Sequence, residues 1–115
     1  MNSILEKVKD LKNIALLKNQ LISTAESCTG GLISKYLTDI AGSSSFFESS
    51  VVTYSNNSKV SLLSVSPKTL SAYGAVSEET VKEMCHGLLK ISTATIAIAI
   101  SGIMGPNSDN TNKKI

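Results

Sequence analysis

The stretch LISTAESCTGGLISKYLTDI, residues 21–40, decides the fold. Its first five residues, set off by Asn19-Gln20, read as a short strand. Gly30 and Gly31 then allow a tight turn. Leu32, Ile33, Tyr36, Leu37 and Ile40 recur at helical spacing and predict a helix over residues 30–39. A strand that passes through a glycine turn directly into a helix is the building unit of a layered α/β domain.

The flanking sequence repeats the alternation. Ahead of the strand, Ile4, Leu5, Val8, Leu11 and Ala15 form an apolar stripe over residues 3–18, with Lys and Asp between them. After the helix, Gly42-Ser43-Ser44-Ser45 breaks the pattern. Val51-Val52-Thr53-Tyr54 is β-branched and aromatic, so it predicts a strand. Ser55-Asn56-Asn57 closes that strand and starts a helix through Val60, Leu62 and Leu63, and Pro67 opens a helical turn that Gly74 stops. Ser77 is a good N-cap, followed by Glu78 and Glu79 where the helix dipole favours acids. Val81, Met84, Cys85, Leu88 and Leu89 then give the most regular stripe in the chain. Residues 95–100 alternate β-branched side chains with alanine and read as a buried strand. The expected architecture is α/β with helices on both faces of the sheet. Three clear strands are few for a closed sandwich of that kind. Residues 107–115 are polar and asparagine-rich and read as a tail.

Composition narrows the function. The chain has 115 residues with 42% hydrophobic, enough for one small domain. Its net charge is +2, and all eleven basic residues are lysines. A strongly basic nucleic-acid module is excluded, and with no arginine there is no planar fork to grip a phosphate from two sides. Aromatics make up 4% with no tryptophan, which argues against a base-stacking platform. Two cysteines far apart and a single histidine, His86, leave neither a disulfide scaffold nor a metal site. No apolar run reaches signal-peptide or membrane-spanning length, so the expectation is a cytoplasmic protein without membrane contact. Lysine without arginine, together with frequent Asn and Ile, suggests an AT-rich bacterial genome.

Three constellations carry chemistry. Ser27-Cys28-Thr29-Gly30-Gly31 lies between a strand and a helix, where free N–H groups and hydroxyls could seat a phosphate or carboxylate. The competing reading is a capped helix start with nothing bound. The stretch is neither a P-loop nor a three-glycine dinucleotide turn. Cys28 sits within it, but with no base partner in view a structural cysteine is the stronger reading. The second constellation is Gly42-Ser43-Ser44-Ser45 with Tyr54 and Lys59. A serine needs a base to become a nucleophile; with histidine scarce, a desolvated lysine is the natural one. Consecutive loop N–H groups near Ser43 could hold an oxyanion. Taken alone, this is a weak signal, because serines in loops are usually turn residues. Tyr54 and Lys59 are five apart, which excludes the dehydrogenase pairing of Tyr and Lys four apart on one helix. The third is Ser101-Gly102-Ile103-Met104-Gly105-Pro106, directly after the last strand, where open α/β sheets bind ligands.

In order, Ala25-Glu26-Ser27-Cys28-Thr29-Gly30-Gly31, residues 37–44, Val52-Thr53-Tyr54-Ser55-Asn56 with Lys59, Gly74-Ala75-Val76-Ser77-Glu78 and Ser101-Gly102-Ile103 with Gly105-Pro106 resemble the C-terminal domain of CinA, the competence/damage-inducible protein. That domain is also found as stand-alone nicotinamide mononucleotide amidases. The resemblance runs over residues 5–106. It implies a three-layer α/β/α sandwich with a mixed sheet. It also implies hydrolysis of nicotinamide mononucleotide to nicotinic acid mononucleotide and ammonia, with no metal and no cofactor. Carried over by motif, Ser44 would be the nucleophile, Lys59 its base and Tyr54 an assisting hydroxyl. Ser27, Thr29, Gly30, Gly31, Ser43, Ser101 and Gly102 would line the nucleotide site. Related domains self-associate, so a homo-oligomer is expected.

The sequence departs from the family at Ser50, where glycine is usual, and at Met104, where alanine is usual. After Gly105-Pro106 the family continues into further strands and a C-terminal helix. Here residues 107–115 follow instead. The expectation is therefore an incomplete amidase domain over residues 1–106, with a Ser-Lys-Tyr set on a reduced scaffold. The alternatives are a non-catalytic nucleotide- or phosphate-binding module and a degenerate remnant.

Overall fold

A computed structural model describes residues 2–103. The elements run α1 (Asn2–Leu17), β1 (Ile22–Glu26), α2 (Leu32–Thr38), a single 3₁₀ turn at Ser43–Ser45, β2 (Phe47–Val52), α3 (Asn56–Leu63), α4 (Pro67–Tyr73), α5 (Glu78–Ile91) and β3 (Ile96–Ile100). The three strands form one sheet of order β2-β1-β3, and both pairings are parallel. An antiparallel member, which a mixed sheet requires, is not among the described residues. The outer edges of β2 and β3 carry no further strand among them either. The tail at residues 107–115 and Met104 lie outside the described residues.

β1 is buried along its whole length and divides the core in two. Its side chains alternate between the faces, as a strand requires. On one face Ile22 joins Val8 and Ala15 of α1, Leu37 of α2 and Phe46. On the other, Ala25 joins Leu63, Val65, Met84 and Leu88, with Ala97 and Ala99 of β3 packed alongside. Small residues on that second face let α5 lie close to the sheet. Met84 and Leu88 are fully buried there, a contribution of roughly 1.5–3 kcal/mol each.

Ser77 caps α5 as expected from the sequence, and two further serines cap α3 and α4. The Ser55 side chain accepts from Ser58 N–H at α3, Ser66 from Lys68 N–H at α4, and Ser77 from Thr80 N–H at α5. Gly87, in the middle of α5, has a different task. A Cβ there would stand 1.9 Å from the Leu63 carbonyl oxygen at the end of α3, so the two helices touch backbone to backbone.

β2 begins four residues earlier than the apolar pattern predicts. Glu48-Ser49-Ser50 is polar, yet it pairs with β1 because its neighbours are polar too. Ser23 Oγ donates to Glu48 Oε2 at 2.8 Å and lies 2.9 Å from Ser49 Oγ, and Thr24 Oγ1 donates to Ser50 Oγ at 2.7 Å. The register shifts between Ile22 and Ser23. That irregularity brings two consecutive β2 side chains to one hydroxyl of β1.

Candidate active site

Parallel strands deliver their C-terminal ends to one side of the sheet, and the site forms there. β1 runs into Ser27, β2 into Thr53, and β3 into Ser101 and Gly102. The Ser27 N–H donates to the Ile100 carbonyl at 3.0 Å, and the Thr53 N–H donates to the Glu26 carbonyl at 2.8 Å. These bonds continue the ladder one residue beyond the strands and fix the three ends relative to one another.

Lys59 reaches this point from α3. It is 1% exposed. Its Nζ donates to Ser27 Oγ at 2.9 Å, to the Thr53 carbonyl at 2.8 Å and to the Tyr54 carbonyl at 3.2 Å. None of the three acceptors is charged. Burial, with no carboxylate partner among the described residues, holds the Lys59 ammonium below the usual lysine range, and the Cys28 sulfur nearby opposes part of that shift. Ser27 itself is 7% exposed. Here, then, are a hydroxyl and an amine with a depressed proton affinity, in hydrogen-bond contact and shielded from water.

The turn after Ser27 is built around Glu26, whose side chain is fully buried. Its Oε1 accepts from Thr29 Oγ1 at 2.7 Å, Gly31 N–H at 3.1 Å and Ile33 N–H at 2.9 Å. Its Oε2 accepts from Ser34 N–H at 2.8 Å and Thr24 Oγ1 at 3.1 Å. Burial pushes its pKa up, but the donors from Thr29, Ile33, Ser34 and Thr24 together leave it below the ordinary glutamate value. This corrects the expectation of an anion seat at the start of α2. The N–H groups that would hold a phosphate already hold the protein's own carboxylate, and the Thr29 hydroxyl is engaged with it. Gly30 and Gly31 supply positive φ of 62° and 105° for the turn. Gly30 N–H donates to the Ser27 carbonyl.

The expected trio of Ser44, Tyr54 and Lys59 does not assemble within the chain. Ser44 lies in the 3₁₀ turn before β2, while the amine of Lys59 lies past the far end of that strand. Six strand residues span about 20 Å. Ser43, Ser44 and Ser45 occupy the opposite end of the sheet, where Ser45 Oγ donates to the Gly42 carbonyl at 2.6 Å. The Ser45 and Phe46 N–H groups are tied to Gly42 and Ser43 carbonyls, so they form a turn and not an oxyanion hole beside Lys59. Tyr54 meets Lys59 through its backbone carbonyl, and the residue is 69% exposed.

Of the residues assigned to the nucleotide site, Ser27, Ser101 and Gly102 do converge. A Cβ on Gly102 would come within 3.3 Å of Cys28 Sγ, so the β1 and β3 turns are in contact. The Ser101 hydroxyl is spent on the Ala75 carbonyl at 2.9 Å. Sequence reasoning passed over two residues. Glu26 has the visible mark of an acid ending a buried strand just before a glycine turn. Thr53 sits inside the strand pattern and carries no mark of its own. Its Oγ1 is the one buried side-chain oxygen without a hydrogen-bond partner among the described residues, an arrangement that costs about 1–3 kcal/mol. Among the described residues no cluster of His, Cys, Asp and Glu could hold a metal ion, and no helix is long and apolar enough to cross a membrane.

Known proteins similar to this chain are numerous. The chain is 54% identical over 101 residues to a CinA-like protein of Endomicrobium trichonymphae, covering 87% of this chain and 24% of that one. It is 51% identical over 98 residues to the nicotinamide-nucleotide amidohydrolase PncC of Enterobacter agglomerans, covering 85% of this chain and 60% of that one. It thus spans about a quarter of the first relative and three-fifths of the second. The crystal structure of the competence/damage inducible protein CihA from Agrobacterium tumefaciens superposes with a TM-score of 0.92 at 42% identity, covering 97% of this chain and 68% of that one. The family model described as the CinA C-terminal domain matches residues 5–115, and the chain belongs to that family.

Proposed function

We propose that the chain carries the acyl-transfer site of an amidohydrolase acting on nicotinamide mononucleotide, with Ser27 as nucleophile and Lys59 as its base. The observation behind the assignment is the buried contact of 2.9 Å between Lys59 Nζ and Ser27 Oγ. The name of the Enterobacter agglomerans relative supports the substrate.

The geometry around the amine favours the base role. A neutral amine keeps two N–H bonds and one lone pair. The Thr53 and Tyr54 carbonyls can only accept, so they take the two N–H bonds. The lone pair then faces the one of its three hydrogen-bond partners able to donate, the Ser27 hydroxyl. Burial supplies the other requirement by lowering the cost of the neutral form at moderate pH.

The reaction follows from these positions. Ser27 Oγ bonds to the carboxamide carbon while Lys59 takes the hydroxyl proton. The C–N bond breaks and Lys59 passes that proton to the departing nitrogen, which leaves as ammonia. Water then adds to the Ser27 ester, giving a proton to Lys59. The ester bond breaks, nicotinic acid mononucleotide departs, and Lys59 returns the proton to Ser27 Oγ. The N–H groups of Cys28 and Thr29 donate to no acceptor among the described residues and stand next to Ser27, where an oxyanion would form.

Ammonia release from nicotinamide mononucleotide tests the proposal. Ser27→Ala and Lys59→Ala should each lower it by about a thousandfold or more. A serine-directed acylating reagent should label the peptide containing Ser27 and not the one containing Ser44. Turnover that survives either substitution overturns the assignment. Saturable binding of the mononucleotide with neither turnover nor labelling makes the chain a nucleotide-binding module instead.

A further inference from the structure

The turn after Ser27 spends its N–H groups selectively. From Cys28 to Ser34, those of Gly31, Ile33 and Ser34 donate to the Glu26 carboxylate at 3.1, 2.9 and 2.8 Å. Gly30 donates to the Ser27 carbonyl and Leu32 to the Thr29 carbonyl, each at 3.1 Å. That leaves Cys28 and Thr29, the pair next to the nucleophile, whose N–H groups donate to no acceptor among the described residues. A helix start is normally capped by the side chain directly ahead of it. Here Gly31 stands in that place and offers none. The capping oxygens come instead from Glu26, on the far side of Ser27, so the cap of α2 also closes the turn around the nucleophile.

Thr29 links that closure to the two free donors. Its Oγ1 donates to Glu26 Oε1 at 2.7 Å, the shortest contact the carboxylate makes among the described residues. Its carbonyl is held by the Leu32 N–H, and the Ser27 carbonyl by the Gly30 N–H. The two unspent N–H groups belong to the peptides between these pinned points. Glu26 itself stands apart from the reacting atoms. Ile22 and Ala25 lie on opposite faces of β1, and alternation places Glu26 with Ile22 and Ser27 with Ala25. Its partners among the described residues are Thr24, Thr29 and the start of α2, and Lys59 is not one of them.

We propose that Glu26, acting through the Thr29 hydroxyl, is a positioning residue that holds the Cys28 and Thr29 N–H groups toward the oxyanion formed when Ser27 adds to the carboxamide. The inference rests on the Ser27–Lys59 reading. An oxyanion donor acts only within a narrow distance, about 2.7–3.1 Å, so a peptide that can swing loses its effect. The Glu26–Thr29 contact removes that freedom. Neither side chain gains or loses a bond or a proton in the reaction.

The experiment compares wild type, Thr29→Val, Thr29→Ser and Thr24→Val in the 115-residue chain. Ammonia release from nicotinamide mononucleotide gives kcat and KM. The rate at which a fluorophosphonate labels Ser27 reads the same donors without the mononucleotide, since its tetrahedral adduct places an oxygen where the oxyanion would form. Thr29→Val should lower kcat about tenfold, a barrier increase of about 1.4 kcal/mol, with KM within twofold, and should slow labelling by a similar factor. Thr29→Ser, which keeps the hydroxyl, should restore both. Thr24→Val removes another hydroxyl from the same carboxylate but leaves the turn tied, so it should lower the urea midpoint and leave kcat within twofold. Equal loss of kcat in Thr24→Val and Thr29→Val would mean a purely structural role and overturns the proposal. So does a raised KM at unchanged kcat in Thr29→Val, which would put the hydroxyl on the substrate, and so does a Thr29→Val chain that does not fold. Normal kcat and labelling in Thr29→Val overturn this inference alone. A wild type that neither turns over nor labels at Ser27 overturns the Ser27–Lys59 reading, and this inference with it.

Discussion

At the N-terminal end of the sheet, Ser44 and Ser45 face solvent in a turn whose hydrogen bonds stay local. At the C-terminal end Ser27 is buried against a lysine amine with no acid beside it among the described residues. Three consecutive serines at one end count for less than the placement of one at the other. What activates a hydroxyl is a dry base within reach, and only one end of this sheet has one. The contrast also explains why a lysine can serve here. α3 starts just past β2, so its fourth residue, Lys59, points back over the strand ends into a space lined by carbonyls.

The sharpest way to break this comparison is to exchange the roles. Ser27→Ala should abolish ammonia release, by about a thousandfold or more, while Ser44→Ala should leave it within twofold of wild type, a change of roughly 0.4 kcal/mol. Loss of activity in both would mean the two ends act together, which a second copy of the chain would have to arrange. The next test uses pH. Because burial lowers the Lys59 pKa, the base form should fill as pH rises through that lowered value, and the rate should climb and then level. The same group ties stability to pH. Between its lowered folded pKa and its ordinary value of about 10.4, the unfolded chain binds the proton and the folded chain does not, so stability should rise with pH in that window. Urea midpoints measured across it should rise for wild type and stay flat for Lys59→Met.

A smaller effect is expected at Glu26. Its carboxylate pKa is lowered, so the stability it contributes is complete above about pH 4.5 and is lost as pH falls through the folded value. Glu26→Gln places an NH₂ group against N–H donors from Gly31, Ile33 or Ser34. The cost should be about 1–3 kcal/mol in urea unfolding. An unchanged midpoint would show that the turn does not depend on its acid.

The helices were legible because their signals are local. Ser55, Ser66 and Ser77 cap the elements they precede, and Met84 and Leu88 on the stripe of α5 are buried as the periodicity requires. The start of β2 was not legible, since Glu48, Ser49 and Ser50 are polar. Their partners Ser23, Thr24 and Glu26 lie more than twenty residues away, and pairing between distant polar residues leaves no period in a sequence. The site divides in the same way. Lys59 stood out as a base, and Ser27 was placed beside the ligand but not under the lysine. That contact joins residues 32 apart and depends on which end of a strand each one occupies. Motif order along the chain does not record that.

Gly87 has a consequence for how this domain tolerates mutation. With the Leu63 carbonyl oxygen 1.9 Å from where a Cβ would sit, α5 cannot move outward to admit alanine without carrying the end of α3 with it, and α3 is the helix that presents Lys59. Elsewhere on α5 the genetic alphabet is broad: Lys82, Leu89 and Lys90 border solvent. At position 87 it has one letter, and a change far from any substrate would be felt at the amine.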